Sequence, residues 1–468
     1  MVDYKLLIDG EFVEGSGVIN VINPATEKPF ATVAKATEKE AAAAIAAAKK
    51  AFPDWSVTPI TERQALLSKL ADAVAENADK LARLLTREQG KPLAEAMGEM
   101  AWTEGYLRHF ATLAPQNRLI QDDDEFFIEV RRKPLGVVAG ILPWNFPILV
   151  ACWKIAPALI AGNTLVLKPA PTTPVTTLAF GEYCRDIFPA GVVNILADEN
   201  ELGPFLTSHP DVAKVGFTGS TATGRRIMES AANTLKRLTL ELGGNDASII
   251  MDDVDVPDTA KKIFDAAFLN CGQVCLAIKR AYVHEAIYDE MCAELSRLAD
   301  AAVVDDGLQQ GVQIGPIQNA AQYAKIQKFL DGARSAGTIA AGGIVEDRDG
   351  FFVRPTIVRD VKDGDDIVDQ EQFGPILPLI KFSDVDDVIA RANNSEYGLG
   401  ASVFSRDVEK ATQIADRIES GTVWVNQHVN IGPHLPMAGF KQSGIGVEQS
   451  IEGLEEYTQV QLINVAKS

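Results

Sequence analysis

A chain of 468 residues is too long for a single small core. Its 47% hydrophobic and 23% charged residues are ordinary values for a globular protein of two or three domains. The net charge of −20 argues against a nucleic acid partner, because affinity for nucleic acids depends on neutralising phosphates with Lys and Arg. No apolar run reaches the ~20 residues that a membrane-spanning helix needs.

The first residues of the chain and the number of its cysteines are typical of a cytoplasmic protein. The first residues lack the basic region followed by an apolar one that marks a signal peptide. Five cysteines, an odd number in a long chain, do not indicate a disulfide framework. We therefore expect a cytoplasmic protein that binds neither membranes nor nucleic acids.

The first part of the chain predicts strands and long helices. Residues 5–13 alternate apolar and polar side chains like one strand, and residues 23–26 form a turn. Residues 37–52 and 62–89 carry helical periodicity. Residues 126–132 alternate apolar and charged side chains, and we expect this strand to be a sheet edge that pairs with another subunit.

From Gly136 onward, short apolar strands alternate with helices. The predicted strands lie at residues 137–141, 164–168, 192–196 and 214–218, and the helices that follow them lie at residues 151–161, 176–187, 201–208 and 223–232. This alternation is typical of right-handed βαβ units and of a parallel sheet. A second α/β series runs from Glu241 to about Met437, with strands at residues 248–251, 280–283, 376–381 and 423–426. Within it, the charged run at residues 363–371 is expected to be a solvated loop.

Cys275 is the leading candidate for a reactive residue. It ends the run Asn270-Cys271-Gly272-Gln273-Val274-Cys275, whose small and polar residues are poor core fillers. Upstream, Glu241 ends an apolar strand and precedes Gly243-Gly244, which allows a close backbone approach. A presented thiol and a separate carboxylate predict a nucleophile and a base.

The residues alone leave alternatives open for this cysteine. Most buried cysteines are inert packing residues. Cys271 and Cys275 could be a metal-ligand pair, but the five histidines supply no second pair at zinc spacing, so no metal site is predicted. His428 or His434 could assist the thiol from elsewhere in the pocket.

Two further motifs point to polar recognition. Asn145 lies between Trp144 and Phe146 and is bracketed by prolines, so it is either a turn residue that satisfies its own backbone or an amide donor for an oxyanion. Residues 219–224, Gly-Ser-Thr-Ala-Thr-Gly, join a predicted strand to a predicted helix. This differs from the usual G-x-G-x-x-G fingerprint, but such a turn presents a helix N-terminus to a pyrophosphate.

Four blocks in order resemble the NAD(P)-dependent aldehyde dehydrogenase superfamily: residues 143–147, 217–224, 240–245 and 270–280. The resemblance extends from Leu7-Ile8-Asp9-Gly10 to residues 457–465. It implies an α/β fold with a Rossmann-like dinucleotide-binding domain, an α/β catalytic domain and a small β oligomerisation element. The expected bounds of the three parts are residues 1–120 with 138–241, residues 242–437, and residues 121–137 with 438–468.

The resemblance also implies roles for three residues. Cys275 adds to an aldehyde to give a thiohemiacetal and then a thioester. Asn145, with the backbone N–H of Cys275, stabilises the oxyanion, and Glu241 activates the water that hydrolyses the thioester. No histidine is needed, so His428 and His434 stay outside the predicted catalytic set.

The implied cofactor is NAD or NADP. Lys168 would contact the adenosine ribose, Glu371 would hold the nicotinamide ribose, and Phe373 would pack beside the ring. The full set of implied cofactor contacts is Ile141, Pro143, Trp144, Lys168, Ala170, Pro171, Gly203, Phe217, Thr218, Gly219, Ser220, Leu242, Gly243, Glu371 and Phe373. Pro171 stands where NAD-preferring relatives commonly carry a Glu, so we expect relaxed cofactor choice with NAD slightly favoured.

Alignment of the motifs suggests the substrate wall. Its members are apolar: Phe146, Leu149, Trp153, Val274 and Leu276. Lys154 is the nearby charge in sequence, and no arginine beside these motifs would pair a distal carboxylate, although Arg280 could change this. We therefore expect apolar or aromatic aldehydes. Residues 439–444 are expected to shape the pocket floor.

Two rival functions use the same scaffold. A CoA-acylating aldehyde dehydrogenase is the nearer one, and the presence of Glu241 weighs against it. A catalytically silent structural or binding protein would require loss of the nucleophile, base or donor. Residues 458–464 alternate as an exposed strand does, so we expect a homodimer or homotetramer that protects this edge.

Overall fold

The computed structural model describes Val2 to Lys467, and the statements below concern these residues. The helices are α1 (Glu38–Val57), α2 (Ile60–Glu76), α3 (Ala78–Gln89), α4 (Leu93–Phe110), α5 (Pro147–Ala161), α6 (Val175–Ile187), α7 (Gly203–Ser208), α8 (Thr221–Ala231), α9 (Val256–Phe268), α10 (Tyr288–Ala301), α11 (Ala320–Ala336), α12 (Asp366–Asp369), α13 (Val385–Asn393), α14 (Val408–Ala415) and α15 (Ser450–Glu455).

The strands fall into two large and three small sheets. They are β1 (Leu6–Ile8), β2 (Glu11–Val13), β3 (Gly17–Asn23), β4 (Lys28–Lys35), β5 (Arg118–Asp122), β6 (Phe126–Pro134), β7 (Val137–Ile141), β8 (Thr164–Lys168), β9 (Val193–Ile195), β10 (Val212–Thr218), β11 (Arg237–Glu241), β12 (Asp246–Ile250), β13 (Ile278–His284), β14 (Thr338–Ile344), β15 (Val353–Val361), β16 (Ile376–Phe382), β17 (Tyr397–Gly398), β18 (Gly400–Phe404), β19 (Thr422–Val425), β20 (Phe440–Lys441), β21 (Gly444–Ile445) and β22 (Thr458–Ala466).

The first large sheet has the order β2-β1-β9-β8-β7-β10-β11-β21. Its five central strands are parallel, as the alternation of strands and helices predicts. Helix α5, which follows β7, is apolar except for Lys154 and is buried along its whole length. The chain order reverses between β7 and β10, which creates a crevice at the carboxyl ends of the strands.

The second large sheet has the order β14-β15-β16-β13-β12-β18-β19. All its pairs are parallel except β14 with β15. It has its own hydrophobic core, separate from that of the first sheet. The cores do not divide at one point in the sequence, because Val274, Leu276 and Leu399 pack in the core of the first sheet.

The small sheet of β22, β6 and β5 corrects one expectation. Strand β6 is the central strand and not an edge, because β22 pairs along its full length on one side and β5 pairs on the other. The edges are β5 and β22, and both expose apolar side chains. These are Leu119, Ile120, Val460, Leu462 and Val465.

Three other local predictions were wrong in detail. Residues 5–13 form a hairpin and not one strand, because Asp9 and Gly10 both adopt positive φ, as a tight two-residue turn requires. The helical stretch at residues 62–89 is interrupted by Asn77, whose backbone is not helical. The charged run at residues 363–371 contains the short helix α12 with buried apolar residues.

The C-terminal segment contributes to more than one sheet. Gly444–Ile445 pairs with β11 of the first large sheet, whereas β22 belongs to the small sheet. Across Val2 to Lys467, every helix is too short or too polar to traverse a bilayer.

Candidate active site

Four predicted loops meet at the crevice of the first sheet. Strands β7, β10 and β11 are parallel neighbours, so the loops that follow them lie side by side. These loops carry Asn145, Ser220 and Gly243, and the segment between α9 and β13 brings Cys275 from the second sheet. Together they line a cavity of about 790 Å³.

All predicted cofactor contacts line this cavity, together with Asn145 and Cys275. The cofactor set comprises Ile141, Pro143, Trp144, Lys168, Ala170, Pro171, Gly203, Phe217, Thr218, Gly219, Ser220, Leu242, Gly243, Glu371 and Phe373. Residues as far apart in the sequence as Ile141 and Phe373 thus line the same cavity. The predicted cofactor contacts and the candidate nucleophile therefore share one cavity.

The backbone before Cys275 is in an uncommon conformation. Asn270, Cys271 and Gly272 have φ values of 49°, 57° and 69°, in the left-handed region. A Cβ on Gly272 would lie 2.3 Å from the carbonyl oxygen of Gly374, so only glycine fits there. Strain of this kind clusters at functional sites. Cys271 is buried, whereas Cys275 is partly exposed at the cavity.

Asn145 is held in place by polar contacts from two sides. Its Nδ2 donates to the carbonyl oxygen of Gln273 at 2.9 Å, which leaves the second amide hydrogen unassigned. The backbone carbonyl oxygen of Asn145 accepts hydrogen bonds from Lys91 Nζ at 2.8 Å and from Asn270 Nδ2 at 3.0 Å. The amide is therefore a fixed donor beside the Cys275 segment.

A buried ion pair that was not predicted from the sequence supports this loop. Lys91 Nζ and Glu99 Oε2 are 2.7 Å apart, and both side chains are fully buried. Glu99 also accepts hydrogen bonds from the backbone N–H groups of Ile148 and Leu149, in the first turn of α5. Such a pair is stable only because each charge finds a partner. No short motif marks it, since α4 and α5 meet only after folding.

Glu241 lies behind the cavity at the end of β11. It is 2% exposed, and neither of its carboxyl oxygens has a hydrogen-bond partner among the described residues. Burial and the neighbouring Glu448 raise the pKa of Glu241 well above its usual value, while Lys154 lowers it. A buried carboxyl group without a partner is rare and indicates a functional position.

Two charged residues close to Glu241, Glu448 and Lys154, lie far apart in the sequence. Lys154 on α5 donates a hydrogen bond to Glu448, and both side chains are buried. Lys154 was noticed as a charge near the substrate wall, but its counter-ion is 294 positions away and lay outside every motif. The structure assigns this lysine to a buried charge cluster and not to substrate recognition.

Burial also dominates the chemistry of Cys275. It raises the pKa of the Cys275 thiol to about 12, and Glu241, Asp246 and Glu371 act in the same direction. Lys279 opposes them: its Nζ donates to the carbonyl oxygen of Cys275 at 2.7 Å, and its charge lowers the thiol pKa. The thiol therefore needs additional positive charge or a base to become a nucleophile.

The rival readings of Cys275 find no support in the geometry. His428 Nε2 lies 2.8 Å from the carbonyl oxygen of Leu276, and His434 packs against His109 with 6.3 Å between ring centroids. Neither histidine lines the cavity. Between Val2 and Lys467, no group of three or more His, Cys, Asp or Glu side chains is placed to hold a metal ion.

The middle of the cavity is suited to a pyrophosphate. Ser220 caps α8, since its Oγ accepts a hydrogen bond from the N–H of Thr223 at 3.3 Å, and the helix N-terminus faces the cavity. A Cβ on Gly224 would lie 2.6 Å from a methyl carbon of Leu242. This glycine therefore allows α8 to pack closely on Leu242, the residue after β11.

Lys168 lies in the cavity wall but is not a free cation. Its Nζ is 2.7 Å from Asp198 Oδ1, and both side chains are buried. Lys168 was predicted from the sequence as a cofactor contact, but its partner Asp198, in the loop after β9, was not. Lys168 can donate a hydrogen bond to a ribose, while its charge is largely neutralised by Asp198.

Glu371 and Phe373 form the opposite end of the cavity. Glu371 Oε1 accepts a hydrogen bond from the N–H of Gly244 at 3.0 Å, and its side chain is only 15% exposed, so the expected solvated loop is wrong here as well. Phe373 has a positive φ of 55° and contacts Trp144 edge-to-face at 5.2 Å between ring centroids.

The predicted substrate wall is apolar. Leu149, Trp153, Val274 and Leu276 are buried, and Phe146 is half-buried. Lys91 Nζ lies 3.7 Å from the centre of the Phe146 ring. These residues belong to the hydrophobic core against which Cys275 packs, but none of the five lines the cavity that holds the predicted cofactor contacts.

Two aromatic residues of α4 extend this wall and were missed by the sequence analysis. Trp102 lies 6.5 Å from Phe146, and Tyr106 lies 6.3 Å from Trp153, measured between ring centroids. Arg280 does not enter the wall, because its guanidinium donates to the carbonyl oxygens of Asn245 and Ala392 at 2.8 and 3.0 Å.

Comparison with known proteins decides the family. The sequence model of the aldehyde dehydrogenase family matches residues 12–463. The chain belongs to the aldehyde dehydrogenase family. A phenylacetaldehyde dehydrogenase of Pseudomonas fluorescens is 39% identical over 481 residues, covering 99% of this chain and 96% of the relative.

Solved structures agree. An NADP-dependent enzyme of E. coli superposes with a TM-score of 0.97 at 36% identity, covering 99% of this chain and 98% of that one. A betaine aldehyde dehydrogenase of Staphylococcus aureus in complex with NAD+ gives 0.97 at 35% identity, covering 100% and 95%.

These comparisons confirm the α/β aldehyde dehydrogenase fold and the NAD or NADP cofactor. This aldehyde dehydrogenase is thus an oxidoreductase acting on aldehydes. The residues of this chain fit such a cofactor: α8 has a capped N-terminus at the cavity, Lys168 and Glu371 line the cavity, and an added Cβ on Gly203 would contact nothing within 4 Å.

Proposed function

We propose that this aldehyde dehydrogenase oxidises apolar or aromatic aldehydes to carboxylic acids through a covalent adduct on Cys275. One observation carries the proposal. The partly exposed thiol and the fixed amide of Asn145 line one cavity, and the unpaired carboxyl group of Glu241 lies close enough for its charge to act on the thiol.

The chemistry follows from these positions. The Cys275 thiolate adds to the carbonyl carbon, and the second N–H of Asn145 donates to the new oxyanion together with the backbone N–H of Cys275. The bound NAD or NADP supplies a hydride acceptor, so loss of hydride from the tetrahedral carbon leaves a thioester on Cys275.

Glu241 then acts as the base for hydrolysis. Its ionised carboxylate removes a proton from water as the water attacks the thioester, and collapse of the adduct releases the acid and the Cys275 sulfur. A raised pKa makes the ionised form a stronger base. Burial and Glu448 favour the neutral acid of Glu241, and Lys154 opposes them by favouring the charged carboxylate.

An aldehyde panel tests the substrate class. We expect turnover of phenylacetaldehyde, benzaldehyde and hexanal to exceed that of aldehydes carrying a carboxylate, such as succinic semialdehyde, because the wall offers aromatic and aliphatic side chains and no free arginine. The measurement is kcat/KM from the absorbance of reduced cofactor. A preference for the charged aldehydes would contradict the assignment. Acyl-CoA formed on addition of CoA would instead favour the acylating alternative.

Asn145→Ala tests the oxyanion site. We expect kcat to fall by about 10²–10³-fold, the usual effect of removing one oxyanion donor. KM should change little, because the amide contacts the reacting oxygen and not the rest of the substrate. A kcat within a factor of a few of wild type, with an unchanged melting temperature, would remove Asn145 from the mechanism.

Assembly and cofactor choice are further parts of the proposal. The exposed apolar strands β5 and β22 support a homodimer or homotetramer, since such an edge is protected by a second copy. The uncharged Pro171 supports the use of both NAD and NADP, with NAD slightly favoured. All five cysteines are free, which suits a reducing compartment such as the cytoplasm.

A further inference from the structure

One end of the cavity is formed by a single face of α8. Thr223, Arg226, Ile227 and Ser230 are three or four residues apart, so they lie on the same side of the helix, and all of them line the cavity. Pro171, in the loop after β8, lines it as well. With the pyrophosphate at the N-terminus of α8, this is the end that receives the adenosine.

The charges that line the cavity are unequal. Three side chains are cationic, Lys168, Arg226 and Lys325, and Glu371 is the one carboxylate among the described lining residues. This excess of positive charge occurs in a chain of net charge −20. A cavity that stays positive in an acidic protein is suited to an anionic ligand.

Arg226 is the cation that remains available at the adenosine end. Lys168 is paired with Asp198 at 2.7 Å, and Lys325 lies at the other end, where its Nζ donates to the carbonyl oxygen of Glu371. Among residues 2–467, the guanidinium of Arg226 forms no ion pair or hydrogen bond with another side chain.

The adjacent arginine provides a contrast. Arg225 points the other way and bonds Glu396 and Gln442, at 3.2 Å and 3.1 Å. The two arginines therefore differ in environment although they are neighbours in sequence. Arg226 is committed to no structural contact, and its side chain is exposed at the cavity.

We propose that Arg226 binds the 2′-phosphate of NADP+ and is the residue that admits this cofactor. The guanidinium can donate two parallel hydrogen bonds to a phosphate dianion. NAD+ carries a neutral hydroxyl at the same position and gains nothing from this charge. Pro171 adds no carboxylate that would repel the phosphate. The inference rests on the proposed function, because it takes the orientation of the dinucleotide from it.

Binding measurements on full-length Cys275→Ala enzyme test the inference without turnover. Isothermal titration calorimetry with NADP+ and NAD+ compares this protein with the same protein carrying Arg226→Gln. The Kd for NADP+ should rise about 10–100-fold, the loss expected for charge-assisted hydrogen bonds to one phosphate, and the Kd for NAD+ should be unchanged. Adenosine 2′,5′-bisphosphate and 5′-AMP should show the same contrast.

Arg225→Gln is the matched control, since it removes an equal charge one residue away and should leave both dissociation constants unchanged. Pro171→Glu should weaken NADP+ binding and spare NAD+. An equal loss of both cofactors in Arg226→Gln would overturn the inference, because it would place the arginine on the adenine or in the helix fold. No loss of either would overturn it as well.

Failure of the proposed function looks different in the same experiments. If both dinucleotides bind with the expected contrast but the unaltered enzyme reduces neither of them with any aldehyde, the oxidation is wrong and the role of Arg226 stands. Melting temperatures of all variants verify that each protein is folded.

Discussion

Cys275→Ala is expected to abolish aldehyde oxidation while cofactor binding persists. Loss of a covalent nucleophile typically lowers kcat by more than about 10⁴-fold, because the residual site can only bind and polarise the substrate. The side chain contacts the cavity but supports no other hydrogen bond, so the Kd for NAD+ should stay the same. Steady-state rates and calorimetry measure the two effects.

Cys271→Ala is the matched control for this variant. Cys271 lies in the same segment, with a positive φ, but it is fully buried, and burial raises its pKa above that of an ordinary thiol. Its replacement should leave kcat close to wild type. Turnover retained in Cys275→Ala and lost in Cys271→Ala would move the nucleophile to the other sulfur.

Glu241→Gln is expected to separate the two halves of the reaction. One equivalent of reduced cofactor should form in a burst, because hydride loss does not need this carboxylate. The steady-state rate should then be lower by about 10²–10⁴-fold, the usual contribution of a general base. Stopped-flow absorbance measures the burst and the slow phase together.

The pH profile gives an independent check of this role. Because the pKa of Glu241 is raised, the ionised base becomes more abundant as pH rises, so the wild-type deacylation rate should increase with pH up to that pKa. Glu241→Gln should lose this dependence. Glu95→Gln, which replaces a half-buried carboxylate whose pKa burial raises to about 7, should not show a burst followed by a slow phase.

Much of the fold could be predicted because local pattern and topology agree. Short apolar strands followed by helices give a parallel sheet, and the handedness of βαβ units fixes how they connect. The predictions for residues 5–13 and for β6 were wrong for one reason. Alternation of apolar and polar residues identifies a strand but not the strands that pair with it. Pairing between β6 and β22 joins residues more than 300 positions apart.

The site divides in the same way. Cys275, Asn145 and Gly219 stand in compact motifs. Asn145 and Gly219 lie together because both follow strands of one parallel sheet, and Cys275 reaches them from the second sheet. The Lys91–Glu99 and Lys154–Glu448 pairs could not be predicted, because an isolated Lys or Glu in a helix looks like a solvated residue until its burial is known. Arg226 was not predicted either, because an arginine on an amphipathic helix looks like a solvated residue until the helix face that lines the cavity is known.

Peptide mass spectrometry of Glu241→Gln enzyme, quenched after reaction with phenylacetaldehyde and NAD+, tests the covalent mechanism most directly. The expected result is one acyl group per chain, carried by the peptide that contains residue 275 and released by hydroxylamine. An unmodified Cys275 peptide in enzyme that has completed its burst would contradict the mechanism, as would an acyl group found on Cys271.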